Sequence, residues 1–151
     1  MSIEVIFGNG ARNLDLEPSP IESGWIRQGN PIARGRILSR SLDGSAWTAI
    51  WDCTAGEFNW FYGIDETVYV IDGSVIITPP GAEPHRVNAG DSIFFPCGSS
   101  ANWNVENYVR KVAFLREPLP RGVGEFKRLY RSIREYIGRD RGNIRPTKNP
   151  L

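Results

Sequence analysis

The chain has 151 residues, is 40% hydrophobic and 23% charged, and carries a formal net charge of +1. That is the size and composition of one ordinary globular domain with a real core. No run of about 18 apolar residues is present, so no membrane-spanning helix is expected. Met1 to Gly10 lacks a basic start followed by an apolar stretch, which points to a cytoplasmic protein. Two cysteines, Cys53 and Cys97, are too few for a disulfide framework, and reduced thiols are expected.

Residues 1–44 are rich in Gly, Pro and Asn and predict an irregular N-terminal arm with one or two short strands, closed by the turn signal Asp43-Gly44. From Ala46 the pattern becomes β. Trp47 to Cys53 is aromatic and β-branched, and Gly56 interrupts it. Phe58, Trp60 and Tyr62 then alternate with Glu57, Asn59 and Phe61. Thr67 to Ile71 ends at Asp72-Gly73, and Ser74 to Thr78 ends at Pro79-Pro80-Gly81. Arg86-Val87, Ser92 to Phe95, Trp103 to Val105 and Val109 to Leu115 complete the set. Short strands between Gly, Pro and Asp turns at this density predict an antiparallel sandwich or barrel over residues 45–118.

Beyond Pro118 and Pro120 the period changes. Phe126, Leu129, Tyr130, Ile133 and Ile137 follow helical spacing, with Gly138 as a stop, so residues 119–151 predict an amphipathic helix and a polar tail. From Arg110 onward the charge is mostly basic. The commoner reading of such a charged helix is a solvated face, or one lying on the acidic front half or a partner subunit. An interaction module binding nucleic acid through this helix is the alternative, and nucleic acid is not the expected partner.

Two segments resemble the paired motifs of the cupin superfamily. The first runs from Gly56 through Trp60, Tyr62, Asp65 and Glu66 to Gly73, and its Glu-x6-Gly portion matches. The second, Gly90-x5-Pro96-x-Gly98, matches throughout. With Trp47, Trp103 and Val109-Arg110-Lys111, the run resembles the branch related to ureidoglycine aminohydrolase and the ethanolamine-utilisation cupin. The resemblance covers about residues 45–116. It implies an all-β chain with a single antiparallel jelly-roll barrel, often a homodimer, with any site in the barrel mouth.

The same resemblance implies a metal held by three His and one Glu, a donor set suited to Mn, Fe, Ni or Zn. Glu66 occupies the Glu position. The first-motif His positions fall on Trp60 and Tyr62 counting back from Glu66, or on Tyr62 and Ile64 counting forward from Gly56. The second-motif His position falls on Ala101. The chain has one histidine, His85, outside both motifs, so a three-His site is impossible by count. No cofactor is predicted; a divalent metal, if one binds, would use Glu66.

Strand parity puts Phe58, Trp60 and Tyr62 on one face, and Ala101, Trp103 and Val105 on another. If Glu66 points inward as in the family, these residues form an aromatic cup around one carboxylate. Such a cup has the makeup of a small-molecule site. Desolvation of a carboxylate there suits it to general acid or base work, with Tyr62 as its catalytic companion. The plainer reading is that the aromatics are core and that Glu66 pairs with Arg110. Arg110 and Lys111 are adjacent, so they face opposite sides; either is a candidate ligand anchor, and either could pair with Glu66 or Asp65. Cys97 has no base placed beside it, and both cysteines and His85 read as structural.

The expected function is therefore a small cupin that binds or converts a small polar metabolite without the three-His site. As an enzyme it would be a lyase, isomerase or hydrolase using Glu66 and Tyr62, with Phe58, Trp60, Trp103, Arg110 and Lys111 shaping the pocket. A non-catalytic sensor is the alternative.

Overall fold

The computed structural model describes residues 14–120, together with Val5 and Arg128. The chain divides into two compact units, Met1–Pro118 and Leu119–Leu151, and all strands described belong to the first. The helix expected beyond Leu119 lies outside the described residues, apart from Arg128. The strands are β1 (Glu17–Pro18), β2 (Ile26–Gly29), β3 (Ala33–Arg40), β4 (Ala46–Phe61), β5 (Asp65–Thr78), β6 (His85–Asn88), β7 (Ser92–Phe95) and β8 (Ser100–Arg116). All their pairings are antiparallel.

Three long strands organise the unit. β8 lies between β4 and β5 along most of its length, pairing Ala46–Phe61 on one side and Asp65–Thr78 on the other. Their outer neighbours change partway along. Near one end, β3 flanks β4 and β7 flanks β5; near the other, β2 flanks β4 and β6 flanks β5. The pairing registers shift between Thr54 and Gly56 on β4, and between Val70 and Ile76 on β5. Such bulges bend a strand and reset which side chains face which way. On β4 the inward residues are Trp51 and Cys53 before the bulge, and Phe58 after it, so the parity reverses. Each long strand thus serves two half-sheets with its apolar side turned inward throughout.

The halves face each other across one core. Trp51 and Phe95 of the first half meet Trp103 of the second at ring-centroid distances of 6.1 and 6.0 Å. Phe58 and Trp103 are at most 1% exposed and sit at its centre. Gly56 is required at the β4 bulge because a Cβ there would lie 2.7 Å from the Pro31 ring. Residues 17–40 hold more regular structure than their composition suggests. β3 is eight residues long but mostly exposed, so no apolar alternation announces it.

The outward face of the first half carries its own polar hub. Asp52 is 1% exposed, and its carboxylate accepts from Arg34 Nε and Nη2 at 3.0 and 2.6 Å and from Tyr108 Oη at 2.9 Å. Arg110 Nη1 lies 3.6 Å from Asp52, while Arg110 Nη2 donates to the Leu14 carbonyl at 2.8 Å. Asp52→Asn keeps the volume but removes the charge facing these guanidinium groups. It should lower the unfolding free energy by about 2 kcal/mol in denaturant titrations.

Candidate functional site

The site is built where β5 begins and β8 runs beside it. Glu66, Val68 and Val70 point inward on β5, alternating with exposed Thr67 and Tyr69. On β8 the inward residues are Val109, Lys111 and Ala113. Lys111 is opposite Val70, whereas Glu66 is opposite Leu115, so Lys111 must lie along the sheet to reach Glu66. The small Ala113 between them leaves room for its stem. Lys111 Nζ donates to Glu66 Oε1 at 2.6 Å, and each side chain is 6% exposed.

Three indoles surround that ammonium. Lys111 Nζ lies 4.8 Å from the ring centroid of Trp103, 5.1 Å from Trp51 and 5.9 Å from Trp60. Cations are attracted to the faces of such rings, most strongly where water is excluded. Phe58 stacks parallel to Trp103 with centroids 6.1 Å apart, and Tyr62 stacks on Phe95 at 4.2 Å. The Tyr62 hydroxyl accepts a hydrogen bond from Trp103 Nε1 at 2.9 Å. Burial, reinforced by the Glu66 charge, pushes the Tyr62 phenol well above its usual range, so it stays protonated at neutral pH. Trp60 is only half-buried, as is Trp25, whose ring meets it edge-on at 5.3 Å. Among the described residues, Trp51 Nε1 is the buried side-chain polar atom left without a partner. A buried indole N–H without an acceptor is costly and calls for an explanation.

The structure therefore brings Glu66, Tyr62, Phe58, Trp60, Trp103 and Lys111 together. It does not bring Arg110, which points to the opposite face of β8 and into the Asp52 hub. Arg110 is thus removed from the candidate ligand anchors, because adjacent strand residues cannot share a face. The expected Glu66–Arg110 pair is not formed: Glu66 pairs with Lys111, and Asp65 is held by Arg116 Nη2 at 2.6 Å and by the Cys97 N–H at 3.0 Å. Those two donors keep the Asp65 carboxyl below the usual carboxylate range, the backbone N–H contributing most. Sequence parity missed Trp51 and Phe95. Trp51 is odd-numbered and Trp60 even, and only the bulge at Gly56 puts both inside.

The residues present do not fit a transition metal. Trp60, Tyr62 and Ala101 stand at the positions of the expected imidazoles, and the Glu66 carboxylate is engaged by an ammonium. No group of three or more His, Cys, Asp or Glu side chains able to hold an ion occurs among the described residues. Both cysteines are free thiols. Cys53 is fully buried and its thiol is pushed up to about 12, mainly by burial and then by the Asp52 charge, whereas Cys97 is exposed. A thiol reagent at neutral pH should modify one cysteine in the native protein and two after denaturation.

Two antiparallel half-sheets packed face to face over one core have the architecture of a cupin, and here Glu66 stands on the inner face. The family model described as the EutQ-like cupin domain matches residues 40–113. EutQ of Clostridium difficile is 25% identical with a TM-score of 0.51, the match covering 58% of this chain and 69% of that one. A putative ethanolamine utilization protein Q of Salmonella typhimurium is 26% identical, TM-score 0.51, covering 56% and 69%. A protein of unknown function of the DUF861 family from Pseudomonas syringae is 26% identical with a TM-score of 0.63, covering 69% of this chain but 45% of that one. No curated protein matches. The chain belongs to the cupin superfamily, in its EutQ-related branch. No helix among the described residues is long and apolar enough to cross a membrane.

Proposed function

We propose that this cupin binds a small polar metabolite against the aromatic cup, and that Glu66 with Lys111 is the polar pair that engages it in place of a metal. The observation that carries the reading is the buried Glu66–Lys111 contact at 2.6 Å beneath three indoles. Burying an ion pair gains little stability over apolar packing, so its presence favours a functional role. The unpartnered Trp51 N–H supplies a donor for a ligand acceptor. Trp60 and Trp25, the half-buried rings, form the side from which a ligand enters. Two relatives carry names from ethanolamine utilisation, which agrees with a small polar metabolite.

The test is a thermal-shift panel of small carboxylates, amides, ureido compounds, amines and aldehydes. A ligand that raises Tm in the wild type and not in Glu66→Gln is expected. No shift across the panel, or an undiminished shift in the variant, sinks the reading. Turnover of that ligand then separates an enzyme, with Glu66 as acid or base and Tyr62 as a neutral donor, from a sensor.

A homodimer in the cytoplasm completes the proposal. Its support is the outward row Phe94, Thr67 and Phe114, adjacent across β7, β5 and β8, with Phe94 and Phe114 57% and 51% exposed. Light scattering on the wild type and Phe114→Glu should report a dimer and a monomer; a wild-type monomer rejects this part.

A further inference from the structure

We propose that Lys111 captures a small aldehyde as an imine inside the cup. This rests on the reading of the cup as a ligand site and adds the class of substrate and the chemistry. The first support is residue choice. The chain has 18 Lys plus Arg, of which three are lysines: Lys111, Lys127 and Lys148. Lys111 is the sole lysine within residues 14–120, where every other cationic side chain of that kind is an arginine. Arginine is the usual choice for a buried ion pair, because its planar fork is preorganised and weakly hydrated. A lysine at the one buried position facing the cup offers what arginine cannot, a nitrogen that becomes a nucleophile once deprotonated.

The second support is what surrounds that nitrogen. An amine attacks a carbonyl only after giving up a proton, and Glu66 Oε1 sits 2.6 Å away to receive it. The indoles of Trp51, Trp60 and Trp103, with ring centroids 5.1, 5.9 and 4.8 Å from Nζ, shield it from the water that would reverse the condensation.

The step balances without any further reagent. Glu66 takes a proton from the Lys111 ammonium. The amine lone pair forms the C–N bond, and the carbonyl π pair moves to oxygen. That oxygen takes a second proton from the attacking nitrogen, giving a neutral carbinolamine. Glu66 then returns its proton to the hydroxyl, the C–O bond breaks and water leaves. The nitrogen lone pair completes a protonated imine, which replaces the ammonium beside the ionised Glu66.

The test is reductive trapping on the full chain with acetaldehyde and cyanoborohydride, read by peptide mass mapping. Expected is alkylation of Lys111 at least tenfold faster than of Lys127 or Lys148, although its side chain is only 6% exposed. Trp60→Ala should speed trapping at Lys111 by opening the entry side, and Glu66→Gln should slow it at least tenfold in protein shown folded by near-ultraviolet circular dichroism. Labelling of Lys111 no faster than of the other lysines overturns the proposal in the wild type alone, whatever the variants do. Equal trapping in folded Glu66→Gln also overturns it. A thermal shift with non-carbonyl metabolites but no Lys111 adduct leaves the binding site standing and removes the imine.

Discussion

Replacing Lys111 by methionine should lower the unfolding free energy by about 3–5 kcal/mol in denaturant titrations. Methionine fills nearly the same space, so the loss does not come from a cavity. It comes from Glu66, left without its counter-charge in a site where each partner is 6% exposed and where its cross-strand neighbours are Phe95 and Leu115. The neighbouring cations on β8 are committed elsewhere: Arg116 is engaged by Asp65 and Arg110 lies on the other face of the strand. The double variant Lys111→Met with Glu66→Leu removes both charges and should recover most of the loss, since a buried pair is worth little more than apolar groups of its size. A deficit below about 1 kcal/mol for the single variant would mean that the pair is open to water.

Gly73→Ala should be at least as damaging, by about 3 kcal/mol or more. Gly73 has φ +71°, where side chains are disfavoured, and a Cβ there would lie 2.0 Å from the Tyr108 carbonyl oxygen. The two costs can be separated. Gly81 has φ +72° but nothing within 4 Å of its Cβ position, so Gly81→Ala carries the conformational penalty alone, about 1–2 kcal/mol. The excess at Gly73 measures the clash. That clash falls where β5 passes from one half-sheet to the other, with Asp72 Oδ1 accepting from the Gly73 N–H at 2.8 Å. A displaced Tyr108 would also disturb its hydrogen bond to Asp52.

How much of this was readable beforehand follows from which signals are local. The strands from Ala46 onward and the turns at Gly90 and Gly98 were legible because each is announced by neighbours in sequence; Gly73, expected to end a strand, instead sits at a register shift inside β5, and all three glycines have positive φ. Phe58, Trp60 and Tyr62 were legible as an inner face for the same reason. Trp51 was not, because its inward orientation depends on a bulge that reverses parity between it and Trp60. The choice between Arg110 and Lys111 was open for a related reason. Parity says that they differ, and only the pairing of β8 with β4 and β5 says which is inside. β3 escaped notice because it is mostly exposed, so it shows neither alternation nor an apolar run.

The placement of β8 bears on how the protein is made. It is the last strand of the first unit, yet it lies between β4 and β5 in both halves. During synthesis β4 and β5 therefore each emerge with one edge open, the edge that residues 100–116 fill once they leave the ribosome. Lys111, the centre of the cup, arrives with that final strand. The nascent chain passes through a stage in which long aromatic strands lack their central partner, a state prone to pairing with other chains. A stop codon before residue 100 should therefore yield insoluble chain rather than a smaller folded domain, and ribosome-bound intermediates should acquire protease resistance in one step, after Arg116 has cleared the exit tunnel.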